Sequence, residues 1–451
     1  MRLMKEVEEE VTSFLSGLIR INTTNPPGNE TEAAKYVAKN LERDGFKCAL
    51  FESAPGRGSV ITRIKGSGEK PSLLLLSHLD VVAANPKEWS VDPFSGLVKD
   101  GFVWGRGALD MKSMTAIEVM VMKLLKRNNV KLKGDVILAA TADEEKGGEA
   151  GAGWLVRNYP EKVRADYVIN EGGGFAIPTD EGRNIYTIQT SEKGILWLKI
   201  KAKGRPGHGS KPGFADNAIM RMNKVVEKLG NYRPAISLTS TTKHYLKAIA
   251  EGNKQLNPYL SAILKNPTEA DKALDELSKM DRAVAEDIRA MLRMTIAPTM
   301  IHGGVKENII PSECEAVFDC RILPGKTTAQ AMEEIKGLLK DVDLEKLEFE
   351  KIQASEPSES SIDAPLYKAI VKVLREFEPN CLAAPLMLTG GTDSRYFRAL
   401  GSTCYGFQPM QADLPYNEIL KMVHGIDERI SIQNLIFGTS ILYSVVEKFM
   451  A

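Results

Sequence analysis

The sequence predicts an α/β protein: a main domain with a mainly parallel sheet, interrupted by an inserted α+β lid. Three observations predict it. Short continuous apolar runs at 72–76, 136–140 and 167–169 read as strands buried on both faces. Helical segments with long crossovers separate them, which is the connection that parallel pairing requires. Near Lys193 the pattern changes to strands that alternate apolar and charged residues, as half-exposed strands do. At 451 residues the chain is also too long for one compact core.

Each element carries its own signal. Val7, Val11, Phe14, Leu15, Leu18 and Ile19 recur at helical spacing, and Asn25-Pro26-Pro27-Gly28-Asn29 breaks that helix. A second amphipathic helix covers 32–43, strands cover 48–52 and 60–64, and 112–126 is a helix rich in Met, Ile, Val and Leu. In the lid, 195–202 is a strand, 216–229 a helix and 236–294 a charged helical insertion. Alternating strands return over 295–321, followed by a helix at 328–339. Buried elements resume from about 355 and end in a helix at 432–448. The expected division is a catalytic domain in two pieces, 1–193 and 355–451, around a lid at 194–354.

Composition narrows the function. Lys plus Arg equals Asp plus Glu, 59 against 59, which argues against nucleic-acid or membrane-surface partners. No apolar segment follows the N-terminus as a secretory signal would, and no window approaches the roughly 20 apolar residues of a membrane span. The five cysteines are odd in number and never spaced C-x-x-C, so reduced thiols and a cytoplasmic location are expected.

Only five histidines occur, so their contexts are informative. His78, in Leu76-Ser77-His78-Leu79-Asp80, ends the most apolar strand, and ligands of parallel sheets gather at such C-terminal ends. Asp80 shares its face in extended chain and could orient a metal-bound imidazole; a solvated strand end is the other reading. Asp110 precedes a helix after Gly105-Arg106-Gly107, and reads either as an N-cap or as a carboxylate bridging two metals. Asp143-Glu144-Glu145 and Glu171 also follow buried strands, and His424 precedes the last helix. Acids crowded at a strand end repel one another unless a cation sits there; a solvated acidic turn is the alternative. Together these residues deliver mixed N and O ligands to one sheet edge, which suits zinc, with cobalt or manganese possible. In the lid, His208 lies among glycines where backbone can approach a ligand. Asn308 and Arg321 could grip a carboxylate or carbonyl, although Arg321 could equally pair with Asp319. Gly390-Gly391-Thr392 could offer backbone N–H groups to a substrate. His244 and His302 read as structural.

These segments, in this order, resemble the co-catalytic zinc metallopeptidase family of aminoacylases, acetylornithine deacetylases, succinyl-diaminopimelate desuccinylases, glutamate carboxypeptidases and carnosine-type dipeptidases. The Trp89–Gly107 stretch and the helical insertion look most like its Gly-X carboxypeptidase and N-acyl-amino-acid hydrolase branch. The resemblance implies two divalent metals, one held by His78, Asp110 and Glu171, the other by Asp110, Glu145 and His424. It implies Asp80 orienting His78, Glu144 as the general base for a metal-bridging water, and His208 stabilising the oxyanion. It implies Asn308, Arg321, Gly391 and Thr392 at the substrate, a small acylated amino acid or peptide with a free carboxylate. A ferredoxin-like lid that also forms a homodimer goes with it. Asn170 departs from the family pattern, which has an aspartate there. A dipeptidase or aminopeptidase, or an inactive binding protein on the same fold, is the alternative.

Overall fold

The computed structural model describes residues 2–451, leaving aside the side chains of 2–5, 416 and 417. Its central sheet has ten strands. The four innermost, Val136–Thr141, Leu73–His78, Tyr167–Asn170 and Thr403–Gly406, run parallel. Antiparallel pairs flank them on both sides. Leu73, Leu74, Leu75 and Leu76 are all fully buried. Leu73 and Leu75 pack with the helix Lys112–Arg127, and Leu74 and Leu76 pack on the other face with Leu155 and Phe397. That two-sided burial is why the strand reads as an unbroken apolar run. It contributes roughly 1.5–3 kcal/mol per leucine before chain entropy is counted. The helix Lys112–Arg127 is buried at every position from Lys112 to Leu125, between the sheet and the terminal helix Ile432–Met450.

One long strand, Asn184–Glu192, mixes Ile185, Tyr186 and Ile188 with polar residues, and all but its first residue are buried. Its polar side chains are tied internally: Gln189 donates to Glu192, and Thr190 meets Thr241. The next residue, Lys193, is buried and donates Nζ to the carbonyls of Ala290 and Arg293 and to the Thr295 hydroxyl.

The lid is a four-stranded antiparallel sheet, in the order Thr295–Gly303, Glu313–Ile322, Gly194–Lys203, Leu347–Ser355. Leu196, Leu198, Ile200 and Ala202 alternate with exposed or half-exposed residues and pack with Phe318 under the helices Ala218–Gly230 and Thr328–Leu338. Asn217 caps the first helix, and a Thr327/Gln330 capping box starts the second. The helical insertion comprises Ser240–Gly252, Asn257–Lys265, Ala270–Met280 and Arg282–Leu292. Sequence order puts these helices in the lid, but their apolar core is shared with Ile185 and Ala384 of the central sheet. The chain leaves that sheet at Glu192 and returns at Ser358, and the two points are paired: Ser358 sits opposite Glu192. Among the described residues no helix is long and apolar enough to cross a membrane, and the five cysteines are unpaired.

Candidate metal centre

Five side chains from separate segments meet beyond the C-terminal ends of the parallel strands. His78 Nε2 lies 3.1 Å from Asp110 Oδ1 and 3.7 Å from Glu171 Oε2. His424 Nε2 lies 3.1 Å from Asp110 Oδ2 and 3.2 Å from Glu145 Oε2. The two carboxylate oxygens of Asp110 therefore face one histidine each. Two groups result, His78/Asp110/Glu171 and Asp110/Glu145/His424, with the ligand atoms of each within 4.8 Å of one another. Asp110 is not the N-cap of the following helix; Met111 holds that position.

Backbone geometry aims these groups. His78 Nδ1 is 2.9 Å from the carbonyl oxygen of Asp80, an acceptor only, so Nδ1 carries the hydrogen and Nε2 faces the cluster. The Asp80 carboxylate is farther from the ring, at 3.5 Å. It accepts instead from the backbone N–H groups of Glu144 and Glu145, at 3.0 and 3.1 Å, and from Asn25. Asp80 thus positions the Glu144–Glu145 turn as well as His78. Asp143, just before that turn, and His424 itself adopt left-handed backbone, φ 73° and 58°. Non-glycine residues hold this conformation only where surrounding contacts enforce it. For Asp143 those contacts come from Arg57, Asn25 and the Ala150 N–H.

Electrostatics point to cations. Burial disfavours charge on His78, but Glu171, Asp110 and Asp80 outweigh it and raise its pKa well above normal. Hydrogen bonds to Asp110 and Glu145 push His424 up to about 10. Burial would raise Asp110, but His424 and His78 hold it below the usual carboxylate range. Burial and neighbouring acids push Glu171 up to about 7 and Glu144 well above its ordinary value. Glu145 Oε1 is sealed from solvent with no hydrogen-bond partner. Crowded buried carboxylates with an orphaned oxygen and imidazole nitrogens aimed among them fit divalent cations of the zinc type. Glu144 belongs to neither ligand group.

Residues 74–448 match the peptidase family M20/M25/M40. The chain belongs to that family. A mouse (Mus musculus) N-fatty-acyl-amino acid synthase/hydrolase is 28% identical over 455 residues, covering 95% of this chain and 86% of that protein. Pig (Sus scrofa) aminoacylase-1 is 28% identical over 436 residues, covering 94% and 92%. An M20 family metallo-carboxypeptidase from Sulfolobus solfataricus shares the fold with a TM-score of 0.72 at 20% identity, covering 98% of this chain and 99% of that one. As an M20 family member, the protein is a metal-dependent hydrolase of amide bonds.

The remaining expected residues of this M20 chain join neither ligand group. His208 and Asn308 are exposed in the lid, on adjoining segments joined by the Gly209 N–H to Asn308 carbonyl bond. Arg321 is paired with Asp319 through Nε and Nη2 at 2.7 and 3.1 Å, the ionic reading of that residue. Thr392 is buried; its hydroxyl donates to Glu192 and accepts from Asn170 and the Ser394 N–H. Thr392 thus builds the turn, leaving Gly391 at its surface, and Asn170 supports that turn. His244 and His302 join neither ligand group.

Sequence reasoning missed the pair that locks the cluster. Glu428, fully buried, accepts from the backbone N–H groups of Gly107, Leu109 and Asp110 at 3.1, 2.6 and 2.9 Å. It also accepts from Arg106 at 2.7 Å, and Arg106 in turn donates to the Gly425 carbonyl at 2.7 Å. One ion pair therefore ties the Asp110 segment to the His424 loop. Asp427-Glu428-Arg429 reads in sequence as an ordinary charged turn, and nothing in it marks Glu428.

Proposed function

We propose that this protein is a di-zinc hydrolase that cleaves the amide bond of N-acyl amino acids or small peptides bearing a free carboxylate. The observation that carries the reading is the pair of ligand groups sharing Asp110, with Glu144 beside them but outside both. His78, Asp110 and Glu171 would hold one ion, and Asp110, Glu145 and His424 the other. When bound, two such ions supply Lewis acidity toward a water and a scissile carbonyl. Glu144 takes the proton of the attacking water and passes it to the leaving nitrogen. His208 donates to the developing oxyanion. Its Nδ1 accepts the Ser210 N–H at 3.1 Å, which leaves the hydrogen of the neutral ring on Nε2, free to donate. Asn308 and the Gly391 turn would line the acyl and carboxylate ends of the substrate.

We also infer a homodimer through the lid. The strand Thr295–Gly303 pairs on one side only, and seven of its nine residues are exposed. Met300 and Ile301 on it, and Met220 on the adjacent helix, are more than half exposed. A long apolar edge of this kind is a template for another strand, and a second copy of the lid matches it.

The deciding experiment loads the protein with zinc, cobalt or manganese and screens N-acetyl amino acids against unblocked dipeptides. Preferential cleavage of the blocked compounds with two metal equivalents is expected. Preference for a free amine would make it a dipeptidase or aminopeptidase, and no turnover with full metal occupancy would make it a binding protein.

A further inference from the structure

We propose that Arg395 reads the substrate's free carboxylate, in a subsite built with Gly391 beside the metal cluster; this rests on the hydrolase reading above. Arg395 lies in the short helix Ser394–Ala399, directly after the glycine-rich turn. Its Nη2 donates to the carbonyl of Gly147 at 2.6 Å, two residues beyond Glu145, and its guanidinium sits 5.1 Å from the Tyr396 ring. These contacts hold one edge of the fork. The nearby arginines Arg57, Arg106, Arg321 and Arg398 each pair with a carboxylate. Arg395 pairs with none among the described residues; it faces Asp393, Glu144 and Glu192 only at longer range.

The space in front of it is kept open by a missing side chain. A Cβ on Gly391 would lie 3.0 Å from Arg395 Nη1 and 3.6 Å from Ile195 Cδ1. Ile195 stands directly across the lid sheet from Arg321, so both point toward the same turn. Arg321 carries its own counter-ion, and the Arg321–Asp319 pair is close to neutral as a unit. The field of Arg395 is not cancelled in this way. Bound metal ions would offset the acids of the cluster itself; what singles out Arg395 is a guanidinium edge beside the cluster that no carboxylate pairs with at close range among the described residues. A planar guanidinium edge fits a carboxylate through parallel charge-assisted hydrogen bonds.

The test compares wild type, Arg395→Gln and Arg395→Lys with N-acetyl-L-methionine and its carboxamide. Steady-state kinetics are run on the zinc-loaded proteins, calorimetric binding is measured in a Glu144→Ala background, and metal content is measured throughout. Arg395→Gln should weaken KM and calorimetric Kd for the acid by about 10- to 100-fold, the range for a charge-assisted hydrogen bond. The amide should change less than about 2-fold, metal content should stay at the wild-type level, and Arg395→Lys should recover part of the preference. Equal weakening of acid and amide, or an unchanged preference for the acid, overturns the proposal. A wild type that cleaves no acylated amino acid or dipeptide defeats the hydrolase reading instead. Calorimetry then still decides the subsite, by whether the acid preference exists and whether Arg395→Gln removes it.

Discussion

His78 is 2% exposed and engaged through both ring nitrogens, whereas His208 stands on an exposed hairpin with Ser210 as its hydrogen-bonding neighbour. The same contrast separates Asp110, clamped through its backbone N–H by Glu428, from the exposed Asn308. Groups that must hold metals are fixed by strand ends and buried ion pairs, so their geometry exists before any ligand arrives. On the proposed reading, the groups that would meet a transition state sit on an exposed surface, and lid closure or the arrival of another chain's lid would bring them to the metal ligands.

Five substitutions test the contrast between the fixed and the exposed groups, the largest effects first. Asp110→Ala removes the shared carboxylate and should empty both metal positions and abolish turnover; retention of two tightly bound metals, by elemental analysis, would refute the bridging assignment. Glu144→Ala should lower turnover about 10²- to 10⁴-fold with both metals kept, and His208→Ala about 10²- to 10³-fold. If His208 acts in the neighbouring subunit, mixing and re-pairing these two variants gives half mixed dimers, each with one intact site, and about a quarter of wild-type activity. No recovery, with exchange confirmed by mass spectrometry, would place His208 in its own chain's site.

Smaller effects are expected away from the metals. Glu428→Gln should weaken metal affinity about 10- to 100-fold, with the His424-containing site lost first in a chelator titration. Equal loss from both sites would mean that it supports the fold and not the junction of the two loops. Arg321→Ala should raise KM for a free acid only a few-fold, as for a partly exposed ion pair. An effect larger than that of Arg395→Gln would move carboxylate recognition from the central body to the lid.

What was legible in the sequence followed from burial. The leucine run 73–76 announces a two-faced strand, and His78, Glu145 and Glu171 follow such strands closely enough to be grouped before any coordinates. Asp110 stayed ambiguous because an acid before a helix is usually a cap; in the structure Met111 takes the cap position and Asp110 faces two histidines. The strand Asn184–Glu192 was hidden because Thr187, Gln189, Thr190, Ser191 and Glu192, all buried, interrupt its apolar Ile185, Tyr186 and Ile188. The partnership of Glu428 with Arg106 joins residues 322 apart, a pairing that periodicity cannot reveal. Nor did sequence order show that the helical insertion shares a core with Ile185 and Ala384, since chain connectivity does not say which core a helix covers.

The lid enters and leaves the central sheet through one doorway. Ser358 lies opposite Glu192, and a Cβ on Gly194 would fall 2.6 Å from Pro357 Cδ. An excursion whose two ends touch can change in length without shifting the register of the sheet it leaves. Here its helices also pack on that sheet through Ile185 and Ala384, so any exchange of the lid must carry that shared core with it.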